Sequence, residues 1–290
     1  MDCQNDAIKA HSVQNATALS FIEEAGHVSE LKTQIVDDEP VCVFARVGRN
    51  NASTFKGFCN KHDTETFLLI DSKALNLKDQ EQLFLIAYRS VTRELHVVME
   101  NAIRLQNAYE AQIKLGNLSP NEASPHALAA TGAMYKSWLT YRHRLDKYDK
   151  ELAAGRYKNI LHSIFTIKGR RAVLASSSFF PAGDDPVAKN MTRIALNIIP
   201  VAVDETAVIF SYPKSQSGIA RKRIANVILK SGEDKLLALS TLVLDATENF
   251  FMRPSHIASW SEDKRILIEK SFMSTVHGVY LQTAPELMLF

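Results

Sequence analysis

Cysteine is scarce in this 290-residue chain, its glycines are scattered, and it has no long apolar run. Each shortage closes a class of protein. Three cysteines are too few, and odd in number, for a disulfide-stapled scaffold. Cys42 sits in the apolar run Val41-Cys42-Val43-Phe44, where a small buried thiol is expected. The sequence therefore predicts a reducing, cytoplasmic setting. The eleven glycines build no Gly-rich phosphate loop, which excludes P-loop and dinucleotide-binding architectures. No stretch approaches the roughly 20 apolar residues of a membrane-spanning helix. The opening Met1-Asp2-Cys3-Gln4-Asn5-Asp6 lacks the basic start and apolar stretch of a signal peptide. No membrane partner is expected. A large excess of one charge is missing too: 34 basic against 32 acidic residues give +2. No global field attracts nucleic acid, and any such contact must come from a local patch.

What is present is an ordinary globular composition, 46% hydrophobic and 23% charged, enough to bury a core without help from a metal. A short helical pattern over 16–25 stops at Gly26, and Val41–Val47 reads as a strand. Residues 55–63 are too rich in Gly, Asn and Lys for a regular element. From Asp79 a helical period runs through Leu83, Ala87, Val91, Leu95, Val98, Ala102 and Leu105 to Gly116. Ser119-Pro120-Asn121 breaks it, and a second helix over 125–154 completes an antiparallel hairpin. Four β-rich runs follow at 160–167, 172–180, 193–203 and 207–212, then helices over 219–230, 234–251 and 261–276. The expected fold is α+β in three parts. These are a zinc-knuckle-like module over 1–75, a long helical hairpin over 76–155, and a four-stranded antiparallel sheet with C-terminal helices over 156–290.

Metal-ligand residue types recur at metal-ligand spacing in one region. Cys59-Asn60-Lys61-His62 is a C-x2-H pair with Asp63 directly after it, and Cys3 with His11 forms a looser second pair. Two such pairs would close a tetrahedron around zinc. The order Cys, Ala10-His11-Ser12, then Phe58-Cys59-Asn60-Lys61-His62-Asp63 resembles HNH-type (ββα-metal) nucleases over roughly the first sixty-five residues. Residues 10–15 and 52–63 also resemble segments of bacterial proteins. The HNH resemblance implies His11 as the general base and His62 or Asp63 as ligand to zinc or another divalent ion beside a phosphodiester. Lys56, Lys61, Arg46 and Arg49 lie close in sequence and would meet phosphates. Structural and catalytic readings compete for His11, which cannot be both a zinc ligand and a free base.

On the first long helix, Arg89-Ser90-Val91-Thr92-Arg93-Glu94-Leu95-His96 is similar to the R-x4-6-H motif of HEPN ribonucleases. That resemblance implies Arg89 and His96 acting on RNA without a metal, in paired protomers of a homo-oligomer. Tyr135, Trp138, Tyr141 and Tyr148 with Arg142 and Arg144 interleave aromatic and basic groups on the second helix, a pattern open to core packing or to stacking on single strands. Three functions thus follow from the sequence. They are a metal-dependent nuclease or nucleic-acid-binding protein, a metal-independent ribonuclease, and a non-enzymatic interaction protein with a structural zinc knuckle.

Overall fold

A computed structural model describes residues 3–37, 39–169, 172–181, 192–276 and 278–290. The elements in chain order are β1 (Ala10–His11), α1 (Ser20–Ile22), β2 (His27–Val36), β3 (Glu39–Gly48), β4 (Thr54–Phe55), α2 (Asn60–Ser72), α3 (Gln80–Lys114), α4 (Pro125–Arg144), α5 (Lys150–Ala153), β5 (Ile160–Lys168), β6 (Val173–Phe179), β7 (Ile194–Ala202), β8 (Glu205–Pro213), α6 (Ser217–Ile228), α7 (Gly232–Ala246), β9 (Phe250–Met252), α8 (Pro254–Ala258) and α9 (Glu262–Val276). The chain is mixed α and β, and its main sheet is antiparallel.

That sheet has seven strands in the order β3-β2-β9-β6-β7-β8-β5, where the sequence pattern predicts four. The four expected strands are present as β5 to β8. The other three come from outside the expected block. β2 pairs with β3 as a long hairpin from His27↔Gly48 to Val36↔Glu39. β9 bridges the two groups, pairing Ser29↔Met252 on one side and Val173↔Met252 on the other. Residues 1–75 therefore contribute two strands to the same sheet as residues 160–252, and among the described residues no separate zinc-knuckle fold is found there.

The sheet is covered on both faces, which is why β7 and β8 read as near-continuous apolar runs and why β6 is buried throughout, Ser176, Ser177 and Ser178 included. On one face Val173, Ala175, Leu196, Ile198, Val208 and Phe210 pack with Ile224 of α6, Leu239 and Val243 of α7, and Ile268 and Phe272 of α9. The other face meets α3 and the N-terminal segment. Ala195 joins Phe84, Ala87, Tyr88 and Val91, while Leu174 joins Val13, Leu19, Ile22 and Val28.

The long helix α3 begins where Asp79 Oδ1 accepts hydrogen bonds from the backbone N–H of Glu81 (2.9 Å) and Gln82 (3.2 Å). At 1.5 Å rise per residue it extends about 52 Å. α4 returns along it, capped by Ser124 Oγ, which accepts from Ala127 N at 3.1 Å, with Pro125 in the first turn. Among the described residues, no helix is long and apolar enough to cross a membrane.

Candidate metal centre and polar cleft

The N-terminal segment is zipped along the stretch that leads into α2. Ala10 pairs with Phe55 and His11 with Thr54, Ile8 N donates to Phe58 O at 2.8 Å, and Ala7 bridges to Cys59. This pairing carries Cys3 to Cys59 across fifty-six positions of sequence. The turn between β4 and α2 requires Gly57, because a Cβ there would stand 2.2 Å from the Phe55 ring.

Cys59 is the N-cap of α2, and His62 lies in its first turn. Cys3 Sγ is 3.5 Å from Cys59 Sγ, and Cys59 Sγ is 3.4 Å from His62 Nδ1. Their ligand atoms all lie within 4.8 Å of one another, so the group could hold a metal ion. Two thiolates bound to tetrahedral zinc at about 2.3 Å stand about 3.8 Å apart, close to the separation here. The backbone amide of His62 pulls the Cys59 thiol pKa below its ordinary value and favours the thiolate a metal needs, an effect burial partly opposes.

Asp63 follows His62, and consecutive helix residues diverge by about 100°. While His62 meets the thiols, Asp63 lines a cleft of about 320 Å³ together with Lys9, His11, Gln14, Asn15, Asp71 and Arg89. Asp63, Phe67 and Asp71 recur at steps of four, which aligns them along one side of α2. Arg89 comes across from α3 and lies over the Phe67 ring, 4.0 Å from its centroid. Its guanidinium donates to both oxygens of Asp71, Nη1 to Oδ1 at 2.8 Å and Nη2 to Oδ2 at 2.7 Å. Arg89 is itself only 3% exposed.

Five buried polar atoms of this group have no partner among the described residues: His11 Nε2, Gln14 Nε2, Asn15 Oδ1, Asp63 Oδ1 and Arg89 Nε. Buried polar atoms are normally paired, so such a concentration in one cleft marks a place for water or ligand. Burial, and secondarily the Arg89 charge, lower the His11 pKa, while the carbonyls of Arg49 and Asn50 and the Asp71 charge act in the opposite direction. The imidazole is thereby kept neutral and able to take a proton. Burial, with the Asp71 charge, raises the Asp63 pKa against the opposing Arg89.

The sequence candidates thus fall into two neighbouring groups. Cys3, Cys59 and His62 come together; His11, Asp63 and Arg89 meet in the cleft; His96 joins neither. His96 lies about 10 Å along α3 from Arg89, 3.5 Å from Glu100 and against the Phe55 ring. Burial lowers the His96 pKa, and Glu100 opposes that shift. Of the basic residues flagged in sequence, Lys61 faces Glu65 at 3.9 Å and Arg49 faces Glu23 at 3.3 Å. Tyr135 and Trp138 of α4 stack in the open, whereas Tyr148, in the π-helical turn Leu145–Asp149 that follows, is core. Asp71, Gln14, Asn15 and Lys9 went unnoticed in sequence, although the Asp63/Phe67/Asp71 spacing was available as a signal for the first. Compared with family models, curated proteins and solved structures, the chain matches none.

Proposed function

We propose that the chain is a phosphodiester-cleaving hydrolase acting on nucleic acid, with the cleft of His11, Asp63, Asp71 and Arg89 as its site. In this reading Cys3, Cys59 and His62 would hold a zinc ion, with the fourth position left to water or another ligand. The observation that carries the reading is that His11, Asp63 and Arg89, each with a buried polar atom unpartnered among the described residues, line one cleft of about 320 Å³. His11 Nε2 takes the proton of a water that attacks phosphorus, the P–O bond to the leaving sugar oxygen breaks, and that oxygen takes a proton from solvent; the base role suits an imidazole whose neutral form burial favours. Arg89 Nε and the Lys9 ammonium meet the charge that develops on the phosphate oxygens. Asp71 fixes the Arg89 fork, so that its Nε–H is presented in one orientation. Zinc bound to two thiolates and an imidazole ties the N-terminal strand to the first turn of α2, and so holds His11 opposite Asp63.

The division of the histidines supports a free base at His11, since among the described residues His62 is the histidine grouped with the thiols. A metal-independent ribonuclease built on Arg89 and His96 draws less support, because Asp71 occupies the Arg89 fork and His96 faces Glu100 and Phe55. The test is cleavage of single- and double-stranded DNA and RNA by the zinc-loaded protein and by His11→Asn. Loss of the general base predicts a fall of about a hundredfold or more. Undiminished cleavage by His11→Asn would remove the assignment. A wild type inert toward every nucleic acid would leave the chain as an interaction protein with a structural zinc site.

A further inference from the structure

Two carboxamides in the cleft wall each have one end hydrogen-bonded and the other without a partner among the described residues. Gln14 is held through Oε1, which accepts from the Thr17 hydroxyl, so its buried and unpartnered Nε2 is a donor. Asn15 is the reverse. Its Nδ2 donates to Asn50 Oδ1 at 3.1 Å, and its buried Oδ1 is an acceptor without a partner. Both residues line the cleft that holds His11, Asp63 and Arg89.

A buried donor and a buried acceptor each cost free energy until something meets them. Phosphate oxygens are acceptors, so a phosphodiester satisfies Gln14, Arg89 and Lys9 but not Asn15. A nucleobase edge carries an acceptor beside an N–H donor, the complement of this pair. The volume, about 320 Å³, lies at the lower end of small-molecule sites and suits one nucleotide unit. A paired base inside a duplex would have to leave its stack to enter.

Building on the phosphodiesterase reading above, we infer that the cleft takes one unpaired nucleotide unit of a single-stranded nucleic acid. Gln14 Nε2 and Asn15 Oδ1 meet the base edge, and Arg89 and Lys9 meet the phosphate. The wild type, Gln14→Glu and Asn15→Leu are compared on a dinucleotide and on bis(p-nitrophenyl) phosphate, a diester with no base. Gln14→Glu keeps the side-chain shape and the oxygen that accepts from Thr17, so its effect is not one of misfolding. The ratio of kcat/KM for dinucleotide to that for the base-less ester is expected to fall about tenfold in each variant. A short single strand is expected to be cut about tenfold or more faster than its duplex. An unchanged ratio in both variants, or a duplex cut as fast as the single strand, would overturn the inference.

If the wild type cleaves neither ester, the catalytic reading has failed and calorimetry decides this one separately. Dinucleotide binding about tenfold tighter than inorganic phosphate, an advantage lost in Gln14→Glu, supports it. Equal binding of the two overturns it.

Discussion

The Arg89–Asp71 pair joins α2 to α3 across the cleft, and Asp71→Ala is the perturbation that exposes what it contributes. Arg89 is 3% exposed, and both its Nη atoms are spent on Asp71 at 2.8 and 2.7 Å. Removing one partner of a fully buried pair costs about 3–5 kcal/mol, since the remaining charge is left uncompensated. Here the Asp71 side chain is 39% exposed, so water already competes for it and the pair contributes less. The Phe67 face under the guanidinium also remains. The expected loss is therefore about 2 kcal/mol, read as a lower urea midpoint at an unchanged slope. The double variant Arg89→Met/Asp71→Ala removes the orphaned charge as well, and should be more stable than Asp71→Ala alone by about 1 kcal/mol. Additive destabilisation in the double variant, or an Asp71→Ala midpoint equal to wild type, would refute the reasoning.

Other parts of the molecule give outcomes of equal clarity. Gly57→Ala puts a methyl group 2.2 Å from a Phe55 ring already packed against Phe58 and His96; overpacking predicts a loss of about 1–3 kcal/mol in the same denaturation measurement. Burial pushes the His162 pKa down from 6.5 to about 4, with Nδ1 bonded to Ser211 and Nε2 unpartnered. Between those values the unfolded chain binds the proton and the folded chain does not. Stability should fall as pH drops from 6.5 towards 4, by up to about 3 kcal/mol from this residue. A His162→Gln variant should show a flatter profile over that window, and a slope identical to wild type would contradict the assignment. Chelation of zinc-loaded protein, or Cys59→Ser, should lower the melting temperature by releasing Cys3 from α2, whereas an unaltered melt would separate the thiol group from stability.

The parts of the fold legible in sequence were those with a repeated signal. The α3 stripe recurs over nine turns beginning at a capping Asp79, and β5 to β8 are long apolar runs separated by polar turns. β2 hid because its outer half, Lys32-Thr33-Gln34, projects beyond the core and is exposed on successive residues, so no alternation survives. With three residues, β9 is too short to display a period, and its Phe250-Phe251-Met252 reads as the end of the preceding helix. Those two omissions, with β3 expected as a strand but outside the sheet, account for seven strands in place of four. The C-x2-H spacing of Cys59 and His62 was readable because both residues sit in one helical turn. The cleft was harder to see, since Asp71 and Arg89 meet across two helices and Gln14 and Asn15 reach it from the N-cap and first residue of a π-helical turn, Asn15–Leu19, that runs into α1.

The separation of His11 from the thiol–imidazole group is the point on which the functional account turns. It is tested most directly by measuring zinc content and nuclease activity on the same preparations of wild type, His11→Asn and His62→Asn. The account predicts that His11→Asn keeps about one zinc per chain and loses cleavage by about a hundredfold or more, while His62→Asn loses zinc. Loss of zinc from His11→Asn, with the metal retained by His62→Asn, would contradict it.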